Sequence, residues 1–125
     1  MPVGHIVTGI LGVTKLFDNV LVNGVGVVYS PIYKIESNQV CGMWVQATSV
    51  LLTPDLLIQV QQSWDTTETN FVIPEACPDV VTNLVTETPR IYTVIPYPMS
   101  YLRIMVTGNA GNQIDTLITA YLFLQ

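Results

Sequence analysis

At 125 residues the chain can bury one hydrophobic core but not two of ordinary size, so a single domain is expected. Half of its residues are hydrophobic and only 10% are charged, against roughly a quarter in an ordinary soluble domain, so much of the surface must be uncharged. The formal charge of −5 includes only four cations, Lys15, Lys34, Arg90 and Arg103, too few and too scattered for the basic patch that direct nucleic-acid binding requires.

A pI near 4.4 agrees with that exclusion, while a mean hydropathy of +0.47 favours a surface partly buried against other subunits. No apolar run reaches the length of about 18 residues that a membrane-spanning helix needs. Residues 1–17 read as an N-terminal arm or first strand ahead of a β-sandwich domain over residues 18–125. The arm is apolar, but it lacks a basic n-region and carries Lys15 after its apolar part, unlike a secretory signal.

Residues 19–33 are rich in Val and Tyr and are broken at Asn23-Gly24, a pair suited to the positive φ of a tight hairpin turn, which predicts two strands. Residues 39–52 alternate, with Cys41, Met43, Val45 and Ala47 on one side and Gly42, Trp44, Gln46 and Thr48 on the other, the mark of a half-buried strand. Residues 55–64 follow Thr53-Pro54, which would also suit a helix start. Their period of two, with Leu56, Ile58, Val60, Gln62 and Trp64 facing one way, predicts a strand instead.

Residues 65–87 are polar and interrupted by Pro74 and Pro78, a long connection that should either pack as short edge strands or carry a binding surface. Residues 90–95 form a strand ended by Pro96 and Pro98. In the next strand, 101–107, Leu102, Ile104 and Val106 face the core and Tyr101, Arg103, Met105 and Thr107 face away. Gly108-Asn109-Ala110-Gly111-Asn112 supplies a turn, and residues 116–124 complete a hairpin as the terminal strand.

Strands spaced about ten residues apart without helical stretches predict an all-β single domain, a jelly roll or β-sandwich of about eight antiparallel strands. The terminal strand is apolar on both sides, with Ile118, Ala120, Leu122 and Leu124 opposite Leu117, Tyr121 and Phe123. A domain this size has little material for a third layer, so Leu117, Tyr121 and Phe123 are the expected subunit or partner interface.

No arrangement in the sequence points to catalysis. His5 is the one histidine and lies near the N-terminus, a poor place for a positioned base. The nine acids fall mostly at turns and strand ends, not as a facing pair suited to glycoside hydrolysis. Asp65 and Glu68 could offer oxygens to calcium, but their spacing matches no defined loop and a polar turn explains them. Cys41 and Cys77 lack metal-ligand spacing and read as free thiols. Gly108-Asn109-Ala110-Gly111 lies between strands without a following helix or Lys, so it is no phosphate loop. Neither metal nor cofactor is expected. Trp44, Trp64 and the six tyrosines, Tyr29, Tyr33, Tyr92, Tyr97, Tyr101 and Tyr121, form either a sugar-stacking platform or core and subunit contacts.

At Ser63-Trp64-Asp65-Thr66-Thr67-Glu68-Thr69-Asn70-Phe71 with Pro74-Glu75, and at Tyr101-Leu102-Arg103-Ile104-Met105-Val106-Thr107-Gly108-Asn109 with Ala120-Tyr121-Leu122, the chain resembles small jelly-roll virion proteins encoded among tailed-phage structural genes. The resemblance spans residues 19 to the C-terminus. It implies a capsid decoration or cement protein, or a neck or fibre component, made in the host cytoplasm and placed at the capsid surface. It also implies a homo-oligomer, with a trimer favoured, and the major capsid protein or other virion proteins as partners. The same C-terminal pattern is similar to discoidin-like and carbohydrate-binding sandwiches, which would instead imply a host-attachment module.

Overall fold

The computed structural model describes residues 12–35, 41–74, 84–94, 100–109 and 115–124. Eight strands lie among them: β1 (Gly12–Val22), β2 (Val27–Tyr29), β3 (Tyr33–Lys34), β4 (Cys41–Thr48), β5 (Leu56–Ser63), β6 (Arg90–Val94), β7 (Tyr101–Gly108) and β8 (Thr116–Leu124). A front sheet has the order β1-β8-β4-β6, and in a back sheet β7 is flanked by β2 and β3 on one side and by β5 on the other. All these pairings are antiparallel, as the alternation in the sequence leads one to expect.

The pairing order is that of a jelly roll, an eight-rung antiparallel ribbon wrapped into two sheets so that first pairs with last, second with seventh, third with sixth and fourth with fifth. Here β1 pairs β8, the broken strand β2/β3 pairs β7, and β4 pairs β6. The fourth rung, β5, meets its partner at Val72, which exchanges backbone hydrogen bonds with Gln62 at 2.9 and 3.0 Å. Among the described residues the long connection thus contributes the missing rung as a single bridge, with a 3-10 turn at Glu68–Asn70 ahead of it.

Wrapping also corrects two expectations. Asn23-Gly24 does turn the chain, with Gly24 at φ 60° and Gly26 N donating to Asn23 O at 2.9 Å, but it makes no hairpin, because β1 joins the front sheet and β2 the back. Likewise β7 and β8 do not pair with each other but lie in different sheets, so no hairpin joins them; residues 110–114 between them lie outside those described. Turn-forming residues dictate a reversal of the backbone and leave open which sheet receives the next strand.

The core forms where the apolar sides of the two sheets meet. Cys41, Met43, Val45 and Ala47 from β4 and Ile118, Ala120 and Leu122 from β8 face Leu56, Ile58 and Val60 from β5 and Leu102, Ile104 and Val106 from β7. β1 crosses residue 17 without a break and carries irregularities in register between Lys15 and Phe17 and between Phe17 and Val20. These bulges let consecutive Leu16 and Phe17 both turn inward. Asn19, at φ 51°, sits in the second bulge, where its backbone N–H donates to Thr119 Oγ1 at 3.1 Å. Between β2 and β3 the ladder is kept by a side chain: Ser30 Oγ accepts from the Ile104 N–H at 2.8 Å where the chain passes into Pro31.

Candidate functional site

Because β8 lies inside the front sheet, its outward side chains stand in the middle of a four-stranded surface. The register sets them in rows: Val13, Phe123, Gly42 and Thr93; then Lys15, Tyr121, Trp44 and Ile91; then Leu21, Leu117 and Thr48. Phe123 and Leu117 are each 38% exposed, and Val13, Leu21 and Ile91 more so. Trp44 meets Tyr121 edge to face with ring centroids 5.6 Å apart, a geometry favoured by the ring quadrupoles. Lys15 lies 5.6 Å from the Tyr121 centroid and 3.5 Å from Asp18, leaving the surface nearly neutral.

A Cβ on Gly42 would stand 3.8 Å from Phe123 Cβ, ordinary contact, so the missing side chain leaves the Phe123 ring flanked by bare backbone. With strands about 4.8 Å apart and residues rising about 3.3 Å, four strands of this length present roughly 400 to 500 Å² in projection. That is of the order of the core of a standard protein interface.

The back sheet's outer face carries Arg103 at its centre, on the side away from the core as expected, yet the side chain is buried there. Its guanidinium lies between two rings, 4.2 Å from the Tyr29 centroid and 4.6 Å from that of Phe71. Nε donates to Gln61 Oε1 at 2.7 Å, Nη1 to Glu68 Oε1 at 2.8 Å, and Nη2 to Glu68 Oε2. The alternation of β7 does point Arg103 out of the core. The segment after β5 then folds back across it, bringing Glu68 and Phe71 from more than 30 positions upstream.

Asp65 organises that segment. Its carboxylate accepts from the Asn70 amide at 3.0 and 3.2 Å, from the Thr67 N–H at 3.1 Å and from the Thr67 hydroxyl at 3.2 Å. The Asn70 hydrogen bond, with help from Thr67 and Ser63, holds the Asp65 carboxyl below its usual range, and the Arg103 hydrogen bond does the same for Glu68. The two acids considered for calcium therefore face protein donors and face apart: one staples the loop, the other caps the arginine.

The remaining candidates are dispersed. Cys41 is a buried thiol whose pKa burial pushes up to about 11, a group suited to packing and not to attack. Tyr33 donates its hydroxyl to Lys15 O at 3.0 Å, and Tyr92 points inward with a hydroxyl that finds no partner among the described residues. Trp64, expected on the inward face with Leu56, Ile58 and Val60, instead follows the end of β5 and is exposed beside the Asp65 loop, while Trp44 lies in β4 of the front sheet, so the two tryptophans do not form one platform. His5, Cys77, Tyr97, Pro78, Pro96 and Pro98 lie outside the described residues, as does the side chain of Leu124.

Of the residues singled out in the sequence, Leu117, Tyr121 and Phe123 do share one outward surface. Their neighbours Val13, Leu21, Trp44 and Ile91 belong to three other strands and become visible only once the register is known. Arg103 was the other residue missed, and its one sequence signal was an arginine amid the apolar run of β7.

No protein-family model and no curated protein matches the sequence. Solved structures do. In a subviral particle of infectious bursal disease virus, the VP2 protein superposes with a TM-score of 0.59 at 13% identity, over 91% of this chain and 31% of that one. The structure of the Gx strain of that virus gives 0.57 at 14% identity, over 91% and 31%. The K3 cleaved adhesin domain of Lys-gingipain from Porphyromonas gingivalis gives 0.52 at 13% identity, over 90% and 73%. This chain spans about a third of the viral proteins it resembles, and at such identities the likeness is one of fold.

Proposed function

We propose that this chain is a virion structural protein that works by binding and not by catalysis, associating through the outer face of the front sheet. The observation that carries this reading is the row of Leu117, Tyr121 and Phe123 with Val13, Leu21, Trp44 and Ile91, an apolar surface of interface size left in water. The jelly-roll pairing and the fold likeness to a viral VP2 protein support the virion setting. In its fuller form, which follows the resemblance to tailed-phage proteins, the chain is a capsid decoration or cement protein at the capsid surface. It binds the major capsid protein as a homo-oligomer, a trimer by that resemblance.

Co-sedimentation with purified empty shells tests the role. The wild-type protein should pellet with shells and raise their melting temperature. A protein that stays in the supernatant at every ratio tried is not a cement protein.

The alternative is a carbohydrate-binding or host-attachment module, favoured by the exposed Trp64 and the fold likeness to a gingipain adhesin domain. On that reading Trp64→Ala should abolish binding on a glycan array, while Trp44→Ala should not, since Trp64 follows β5 of the back sheet and Trp44 lies in β4 of the front sheet.

A further inference from the structure

Asn23-Gly24 carries the chain from one sheet to the other, and the same two residues form a chemically labile pair. An asparagine side-chain amide and the next residue's main-chain nitrogen can close a five-membered succinimide, a reaction hindered by a side chain on that next residue. Of the asparagines in this chain, only Asn23 precedes a glycine. Gly24, with no Cβ and φ at 60°, leaves the approach to its nitrogen open.

The fold brings a base to this pair. Val22 pairs with Thr116 in the β1–β8 ladder, so the chain leaving β1 passes the residue that enters β8. That residue is Asp115, an exposed carboxylate 91 positions away whose Oδ1 accepts the Gly24 N–H at 3.1 Å. A general base must lie within about 2.6 to 3.2 Å of the atom whose proton it takes, and Asp115 does. The N–H lies in the plane of its peptide, whereas attack on a carbonyl carbon uses the electron density above that plane. Gly24 N can therefore keep its hydrogen bond to Asp115 while it approaches Asn23 Cγ. The other reactant is equally available: Asn23 is exposed, and none of the described residues binds its side-chain amide. Its main-chain oxygen is held by Gly26 N at 2.9 Å, so the turn is fixed around a side chain left to solvent.

We propose that Asn23 is a site of spontaneous deamidation, with Asp115 as the base. Asp115 takes the proton from Gly24 N, the bond from Gly24 N to Asn23 Cγ forms, and the Cγ–Nδ2 bond breaks, the amide nitrogen leaving with that proton as ammonia. Water then opens the succinimide. Cleavage between Gly24 N and Cγ leaves an aspartate, and cleavage between Gly24 N and the main-chain carbonyl carbon leaves an isoaspartate, which lengthens the main chain by one methylene. Either product sets a second carboxylate beside Asp115. The like charges repel at the end of the β1–β8 ladder where Leu21 pairs with Leu117, so the change is felt at one edge of the front face.

Peptide mapping by mass spectrometry of folded protein held at neutral pH follows the reaction, with isoaspartate scored by a protein isoaspartyl methyltransferase. The wild type should convert at Asn23 ahead of every other asparagine. Asp115→Asn keeps an acceptor oxygen for the Gly24 N–H but no base, and should slow the conversion several-fold. Asp115→Ser gives a second reading should the first variant disturb the turn, with circular dichroism and Tm establishing which variants keep the wild-type fold. In concentrated urea the wild type and both variants should convert at equal rates, because the base is remote in sequence. A folded wild type that keeps Asn23 intact while the unfolded chain loses it overturns the proposal, as do folded variants that convert as fast as the wild type or faster.

Discussion

The outer face of the back sheet carries a charged side chain and is closed by the chain itself; the outer face of the front sheet carries little charge and is left open by the described residues. On the back, Arg103 is enclosed by Tyr29, Phe71, Gln61 and Glu68, and the segment stapled by Asp65 closes over it. On the front, no described segment crosses Val13, Leu21, Trp44, Ile91, Leu117, Tyr121 and Phe123. The contrast separates two uses of apolar surface. The back face gains its contacts during folding, within one chain. The front face gains from burial only when another surface arrives, which is why the proposed function takes it as the site of association.

Substitutions that act on one face and spare the other test this contrast. Val106 belongs to neither face, being fully buried between the sheets, and it sets the upper scale. Val106→Asp buries an unpaired carboxylate at several kcal/mol, on the order of the whole stability of a small domain, and should yield no soluble folded protein. A soluble variant with unchanged melting would mean that the inner and outer faces are inverted.

Arg103→Ala should come next. It empties the space between two rings and removes a buried hydrogen-bond donor set, which we expect to cost about 2 kcal/mol and to lower Tm by roughly 5 to 10 °C. The front face should be unaffected, so the oligomeric mass should not change. If melting were unaltered, the cage would be incidental to closure of the back face.

Acid should loosen the same region. Glu68 and Asp65 have carboxyls held below their unfolded values, so their stabilisation is present above the ordinary carboxylate range and is lost as pH falls through their lowered folded values. Hydrogen exchange should then speed up at Thr67, Asn70 and Val72 while β8 amides stay protected. Equal acceleration in both sheets would break the contrast.

The smallest effect is a gain. The Tyr92 hydroxyl is buried without a partner among the described residues, so Tyr92→Phe should stabilise the protein by about 1 kcal/mol and raise Tm by a few degrees in a calorimetric scan. A fall in Tm would mean that the hydroxyl is satisfied in solution.

Much of the fold was legible because period-two alternation is a local property. β4, β5, β7 and β8 each carry an apolar face of matching spacing, and even the ambiguous start at Thr53-Pro54 yielded to the alternation of Leu56, Ile58 and Val60. What could not be read was non-local. Asn23-Gly24 and Gly108-Asn109 announce turns, yet in a jelly roll the turn passes the chain from one sheet to the other. The burial of Arg103 depends on a loop that precedes it by more than 30 residues and on Tyr29, still further off. The candidate face was half legible: Leu117, Tyr121 and Phe123 lie on one strand, while Val13, Leu21, Trp44 and Ile91 needed the pairing register.

The central claim, that the front face is where this protein associates, is tested most directly by the molar mass from light scattering of the wild-type protein and of Leu117→Thr/Phe123→Thr. We predict an oligomer for the wild type and a monomer of unaltered circular dichroism for the variant. A wild-type monomer, or a variant that keeps the oligomeric mass, would contradict the account.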